Sequence, residues 1–373
     1  VIVAALVRKE IVEIRRDPVT LALAVVLPLI MLFLFGYGIS LDVEDVRFAA
    51  LDYDRSQASA ELVERFASST YFRRVAELRS PAEAAQVLDR GRATVVLVVP
   101  PDYSRSLAGG RPARIQVLVD GSFSVIGLIV SNYVDAIVSE HSMSLARRAL
   151  AARGVASPPE MRVETRVWYN APMKTVNYIV PGLFAVLLLA FPPMLTALSI
   201  VREKERGTIE QVYVSPIRPA AYILGKILPY AAIAFAEMLL VLAVGTVWFQ
   251  IPFRGSVALL LGASLIYVLV TVGIGVFVST ITRTQVAAVF LSLVATLMPS
   301  VLFSGFLFPI ATMPYVMQLY TYAFPARYFA DVSRDLFLKG VGLEYIWGNV
   351  LLLAVYAAAL FAAASLLFRK KVA

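Results

Sequence analysis

The sequence predicts a polytopic α-helical membrane protein with six transmembrane helices and an α/β extracytoplasmic domain inserted between the first and the second. Three observations carry that reading. Apolar residues make up 59% of the 373 residues, charged residues only 16%, and mean hydropathy is +0.76; soluble domains hold roughly 45–50% apolar and about 25% charged residues. The apolar excess is gathered into runs close to the ~20 residues that a bilayer crossing needs. The formal charge of +8 is unevenly spread: residues 41–175 hold 17 Lys/Arg and 16 Asp/Glu, the rest of the chain 17 and 10. That second group sits in short segments beside the apolar runs, where topology-setting charges belong. A nucleic-acid surface is a poor account of it, and no nucleic acid is expected as a partner.

Residues 1–17 place Val3, Leu6, Val7, Ile11 and Ile14 on one helical face, with Arg8, Lys9, Glu13, Arg15 and Arg16 elsewhere and Glu10 interrupting the apolar arc. An amphipathic helix on the cytoplasmic membrane surface is expected; a charged lead-in to the first span is the plainer alternative. Asp17-Pro18 breaks it. The first span is residues 18–39. It is span-length and no small-residue cleavage site follows, so it reads as a membrane helix rather than a signal peptide. Basic residues precede it and acids follow it, which puts its N-terminus in the cytoplasm.

Residues 40–176 read as the inserted domain. Strands are expected in "VRFAALDYD", "STYFRRVAEL", "ATVVLVVPPDY" and "RIQVLVDGS", and helices in "SQASAELVERFASS", in "SPAEAAQVLDRGR" with Ser80 as N-cap and Glu83 three residues on, and from Phe123 to about Arg153. His141, the chain's single histidine, reads as a helix-surface residue, because no second histidine completes a metal site. With no cysteine there is neither disulfide nor thiolate site, and no metal is expected.

Residues 177–373 form the rest of the membrane domain, with apolar runs at about 177–200, 222–249, 256–280, 285–308 and 345–368. Five crossings from an external domain return the C-terminus to the cytoplasm. Outside the inserted domain, 13 Lys/Arg then fall inside and 4 outside. Residues 309–344 are too polar in places to cross and too apolar for a free loop. They read as an external re-entrant or interfacial segment, whose Arg327, Arg334 and Asp335 could pair with the inserted domain.

The stretch "VREKERGTIEQVYVSPIRPAAYILGK" combines a dense charge cluster, Arg202, Glu203, Lys204, Glu205 and Arg206, with a helix-ending Gly207. Thr208 with Gln211 gives a capping-box signal, Pro216 stops the new helix early, Pro219 shapes a turn, and Gly225-Lys226 leads into the third span. The expected product is a short helix, about 208–215, across the cytoplasmic mouth, placed to receive motion from a partner. A basic loop obeying the positive-inside rule would explain the Lys and Arg but not the acids, the capping box or the two prolines.

These residues also resemble the signature of permease subunits in ABC type-2 exporters, through Glu203, Lys204, Glu205, Gly207, Thr208, Glu210, Pro216, Gly225 and Lys226. "RKEIVEIRRDPVTLALAVVLPLIMLFLFGYGI" and "SGFLFPIATMPYVMQLYTYAFPARYFADVSRDLFLKG" resemble other parts of that family. With the insertion after the first span, the order of parts is similar to its multidrug-type bacterial permeases. The resemblance implies a multi-pass protein of the bacterial plasma (inner) membrane, paired with a second permease copy or paralogue and two ABC ATPase subunits. It would export a hydrophobic or amphipathic compound of the drug or toxin class. The chain has no G-x-x-x-x-G-K-[ST] phosphate loop, so ATP and Mg are expected on the ATPase, with no cofactor in this chain and no catalytic residue of its own. The inserted domain offers a surface to a periplasmic or cell-envelope partner.

Glu237, in the middle of the third apolar run, costs roughly 2.5–3.5 kcal/mol on insertion scales if charged at the bilayer centre. It should face protein or water, either as a transport-pathway contact for a cationic compound or a protonatable site along the path, or as a protonated acid bonded to a neighbouring span or to the second copy. Two other readings remain at this point: a receptor or assembly factor anchored by its spans, and an ion-coupled transporter using Glu237.

Overall fold

The computed structural model describes residues 2–39, 45–122, 124–152, 154, 168–210, 217 and 219–367. The chain forms two compact units, one of Val1–Ser40 with Val167–Ala373 and one of Leu41–Arg166. The first unit begins with helix α1 (Ile2–Arg16) and helix α2 (Pro18–Gly38). Asp17 separates them as the N-cap of α2, accepting from the Val19 and Thr20 amides at 3.1 Å and from the Thr20 hydroxyl at 2.8 Å. Pro18 at the first helical position loses no hydrogen bond there.

The inserted unit runs β1 (Val46–Asp52), α3 (Gln57–Ala67), β2 (Phe72–Glu77), α4 (Pro81–Asp89), β3 (Val95–Val99), α5 (Tyr103–Ala108), β4 (Gln116–Val119) and α6 (Ser124–Ala152). The sheet order is β2-β1-β3-β4, with β1 parallel to β2 and β3 and β3 antiparallel to β4. β1 and β3 are central and buried on both faces, so they read as continuous apolar runs. Phe48, Phe66 and Phe72 form an aromatic cluster under one face. Ser80 caps α4 through the Glu83 amide, but the Glu83 carboxylate accepts from Arg79 rather than from Ser80, a box displaced by one residue. The short helix α5 was not anticipated. His141 departs from its surface reading: it is only 3% exposed, with Nε2 3.3 Å from the Tyr103 hydroxyl. α6 is polar enough to look solvated on all sides, but it packs one face on the sheet core through Val130 and Val134.

The remaining membrane-unit helices are α7 (Thr175–Glu205), α8 (Pro219–Ala243, continued by a π-helical turn Val244–Trp248), α9 (Val257–Ile281), α10 (Gln285–Phe303), the short α11 (Tyr315–Thr321) and α12 (Pro325–Arg334, continued by a π-helical turn Asp335–Lys339), and α13 (Leu343–Leu367). Helices α2, α7, α8, α9, α10 and α13 are long and apolar enough to cross a membrane. α7 is the central one. Nearly every residue from Asn177 to Glu203 is buried, as expected of a helix apolar all round. Gly275 of α9 lies against it: a Cβ there would clash with the Pro193 carbonyl oxygen. Small residues at such crossings let backbones meet where apolar burial gives no drive between helices.

Residues 309–339 do more than lie over the spans. Phe329 of α12 is fully buried and stacks on Tyr267 at 4.2 Å, and the Ser333 hydroxyl donates to the Pro181 carbonyl. Arg327, Arg334 and Asp335 each make contacts within the membrane unit. Arg334 stacks on the Tyr178 ring at 3.8 Å and donates to the Phe306 carbonyl, Arg327 stacks on Tyr322, and Asp335 pairs with Lys339 at 2.6 Å.

Candidate functional site

The last turn of α7 holds the charge cluster, and four of its five members are bound within the chain. The Arg202 guanidinium pairs with Asp17 at 2.5 Å and donates to Gln285 at 3.3 Å. Lys204 donates to the Ser279 and Thr282 carbonyls at the C-terminal end of α9, where a cation also favours the helix dipole. Glu205 accepts from the Gln285 amide at 2.9 Å and from its side chain, at the N-terminal end of α10, the mirror of the same effect. One turn of helix thus reaches the starts or ends of three others.

Glu203 points the fourth way, into a buried ionic knot. Lys226, 2% exposed, stands 2.7 Å from Glu10 and 3.2 Å from Glu203; its angles make these ion pairs rather than aligned hydrogen bonds. The Tyr222 hydroxyl donates to the second Glu203 oxygen at 2.6 Å, and Lys9 donates to Glu203 from the rim. Two carboxylates and two ammonium groups balance. Elements α1, α7 and α8 each contribute, so the knot sets the register of α1 on the bundle. Gly225 makes this possible sterically: a Cβ there would lie 2.6 Å from the Leu6 Cβ.

Burial pushes the Glu10 carboxyl above its usual value despite Lys226. Burial also acts against the Lys9 charge, but the hydrogen bond to Glu203 and the surrounding carboxylates outweigh it and raise that group. At Asp17 burial is likewise overcome, by hydrogen bonds from Arg202 and Thr20, and the carboxyl is held at about 2. Carboxylate oxygens of Glu10, Glu13 and Glu203 lie within 4.8 Å of one another; Lys226 and Lys9 supply the positive charge a cation would bring. A cavity of about 360 Å³ opens beside the knot, lined by Leu6, Lys9, Asp17, Arg202, Thr208 and Tyr230 among others.

The rest of the signature is placed differently. Arg206 and Glu210 are exposed and their side chains have no partner among the described residues. Gly207 takes φ +70° at the end of α7, a conformation glycine adopts without penalty. The Thr208 hydroxyl donates to the Glu203 carbonyl at 3.3 Å, and Ile209 and Glu210 begin a helical turn. Gln211, Pro216 and the rest of the expected helix 208–215 lie outside the described residues. Gly225 and Lys226 are seven and eight residues into α8, inside the span helix rather than leading into it. Glu237 is 3% exposed and neither of its oxygens has a hydrogen-bond partner among the described residues.

Reading the residues in order missed Glu10, Lys9, Asp17, Tyr222 and Gln285. Glu10 carried a signal, an acid set in the apolar arc of α1, and so did Lys226 within an apolar helix. A buried acid and a buried base need each other.

The family description "ABC-2 family transporter protein" matches residues 18–366. The chain is 34% identical to "Probable multidrug ABC transporter permease YbhR" of Escherichia coli (strain K12) over 98% of both chains. It is 35% identical to "Probable multidrug ABC transporter permease YbhS" of the same organism over 91% of this chain and 89% of that one, and 28% identical to its "Inner membrane transport permease YhhJ" over 87% and 85%. The receptor and ion-coupled readings gain no support from these relatives. With six apolar helices around a tightly charged foot, the chain belongs to the ABC-2 transporter family and is a membrane subunit of an ABC transporter.

Proposed function

We propose that this subunit is the permease of an exporter driven by a separate ATPase, in which the foot of α7 takes up the ATPase's motion and passes it to the bundle. The observation that carries the reading is the division of labour among residues 202–210. Arg202, Glu203, Lys204 and Glu205 tie α7 to α1, α2, α8, α9 and α10, whereas Arg206 and Glu210 are left exposed for another chain. A push on the second group is delivered through the first to five helices at once. In the proposed orientation α1 and the foot lie in the cytoplasm, and residues 40–176 lie outside the bacterial inner membrane. Two ATPase copies and a second permease, identical or paralogous, complete the assembly, with ATP and Mg on the ATPases. The cargo is a hydrophobic or amphipathic compound of the drug class, following the names of the relatives, and Glu237 is a candidate contact along its path.

The test is co-purification with the ATPase in mild detergent. Reversing both free charges, Arg206→Glu with Glu210→Arg, should lower the ATPase recovered by more than tenfold and leave the subunit's own melting temperature unchanged. Full retention of the ATPase would sink the docking role.

A further inference from the structure

The inserted unit contains a cavity that transport through the spans does not use. It measures about 490 Å³, within the range of small-molecule sites, and lies between α3, α5, the α5–β4 connection and the C-terminal half of α6. Leu62, Leu107, Ile115, Val138 and Leu145 form its walls. Its polar side chains are few, Tyr103, Arg111, His141 and Ser142, and Arg111 carries the one fixed charge among them. Tyr103 and His141 line it as a buried pair, and the His141 Nδ1 is buried with no hydrogen-bond partner. Arg111 also lines it, exposed, and its guanidinium makes no hydrogen bond or ion pair among the described residues. No acidic side chain lines it.

Each of these features by itself has a modest explanation; together they describe one kind of occupant. An apolar chamber excludes inorganic anions. A guanidinium with no carboxylate in the lining disfavours cations and favours a carboxylate, which it can bind through two parallel hydrogen bonds; Glu61, the acid beside the Tyr103–His141 pair, is already paired with Arg148. An orphaned buried ring nitrogen is costly until something pairs with it. When the Tyr103 hydroxyl donates to Nε2, Nδ1 carries the proton and offers a donor to an acceptor oxygen. We propose that this cavity binds an amphipathic monocarboxylate of the fatty-acid type, its tail against the α3, α5 and α6 walls and its head on Arg111 and His141. The site rests on the inserted unit alone and stands independently of how the spans work.

The full chain, reconstituted in lipid nanodiscs, is photolabelled with a dodecanoate bearing a diazirine in its tail, and the labelled peptides are mapped by mass spectrometry. Labelling is expected within residues 103–115 and 138–149, displaced by unlabelled dodecanoate and not by dodecyltrimethylammonium. Ala146→Trp, which fills the cavity from an exposed position on α6, should reduce that labelling more than tenfold while circular dichroism and proteolytic resistance of the inserted unit match the parent, showing that this unit is folded. Arg111→Gln should weaken dodecanoate competition by about tenfold, the loss of one charge-assisted pair, and leave dodecanol competition unchanged. Labelling confined to the spans, equal displacement by the cationic probe, or labelling of the two peptides that survives Ala146→Trp would each overturn the site.

Discussion

Helix α8 buries two ionisable side chains about three turns apart, Lys226 and Glu237, and surrounds them in opposite ways. Lys226 has two carboxylates within 3.2 Å and a second lysine and a tyrosine hydroxyl completing the group. Glu237, equally hidden, has none. The difference separates two uses of a buried charge. A fully compensated ion cluster fixes which helix faces which, because every slipped arrangement leaves an ion alone. It adds little net stability over an apolar replacement, since desolvation offsets most of the attraction. An uncompensated carboxyl adds neither register nor stability within the chain, which leaves Glu237 open to a second permease copy or to the passage of cargo or protons.

The comparison is most directly broken at Lys226. Lys226→Met leaves Glu10 and Glu203 buried with only Lys9 at the rim, and removing one partner of a buried pair costs about 3–5 kcal/mol. The purified subunit should melt well below the parent, and Glu10→Gln added to Lys226→Met should restore part of the loss. A single variant as stable as the parent would show that the knot does not hold α1. Glu237→Leu should move the other way, since deleting an orphaned polar group and filling its volume is neutral or stabilising by about 1–3 kcal/mol. Export of cationic compounds by the assembled transporter should fall in the same variant. Equal destabilisation by both changes would erase the contrast between the two ends of α8.

The smallest effect is expected at Asp17. Its carboxyl is depressed from 3.8 to about 2 by Arg202 and Thr20. A depressed folded value means that the stabilisation is present above pH about 4 and is lost as pH falls towards 2. Asp17→Asn should therefore lower stability at neutral pH and flatten the acid limb over that window. An unchanged acid limb would show that the Arg202 contact is not what ties α2 to α7.

Apolar run length located every span helix to within a few residues, because a segment that must satisfy its own backbone in lipid has few alternatives to a helix. The alternation of strands and helices in the inserted unit was legible for the same reason that patterning usually is: one face of each element must be apolar. The failures share a cause. His141 was assigned to the surface and Lys226 to a span entrance from their residue types, which say what a side chain costs to bury and not whether a partner is waiting. Asp17, Glu10 and Gln285 lie far along the chain from the residues they bind, Arg202, Lys226 and Glu205, so no local window contains any of the three pairs.

What the sequence determined by itself is therefore the set of elements, six apolar helices and one small α/β insertion, and the family signature around residues 203–226. Which charges are stitched inward and which are left for a partner was decided only by the tertiary structure. The physical reason is that a charge's role depends on its burial and on compensating groups within a few ångströms, and those neighbours are supplied by helices remote in the chain.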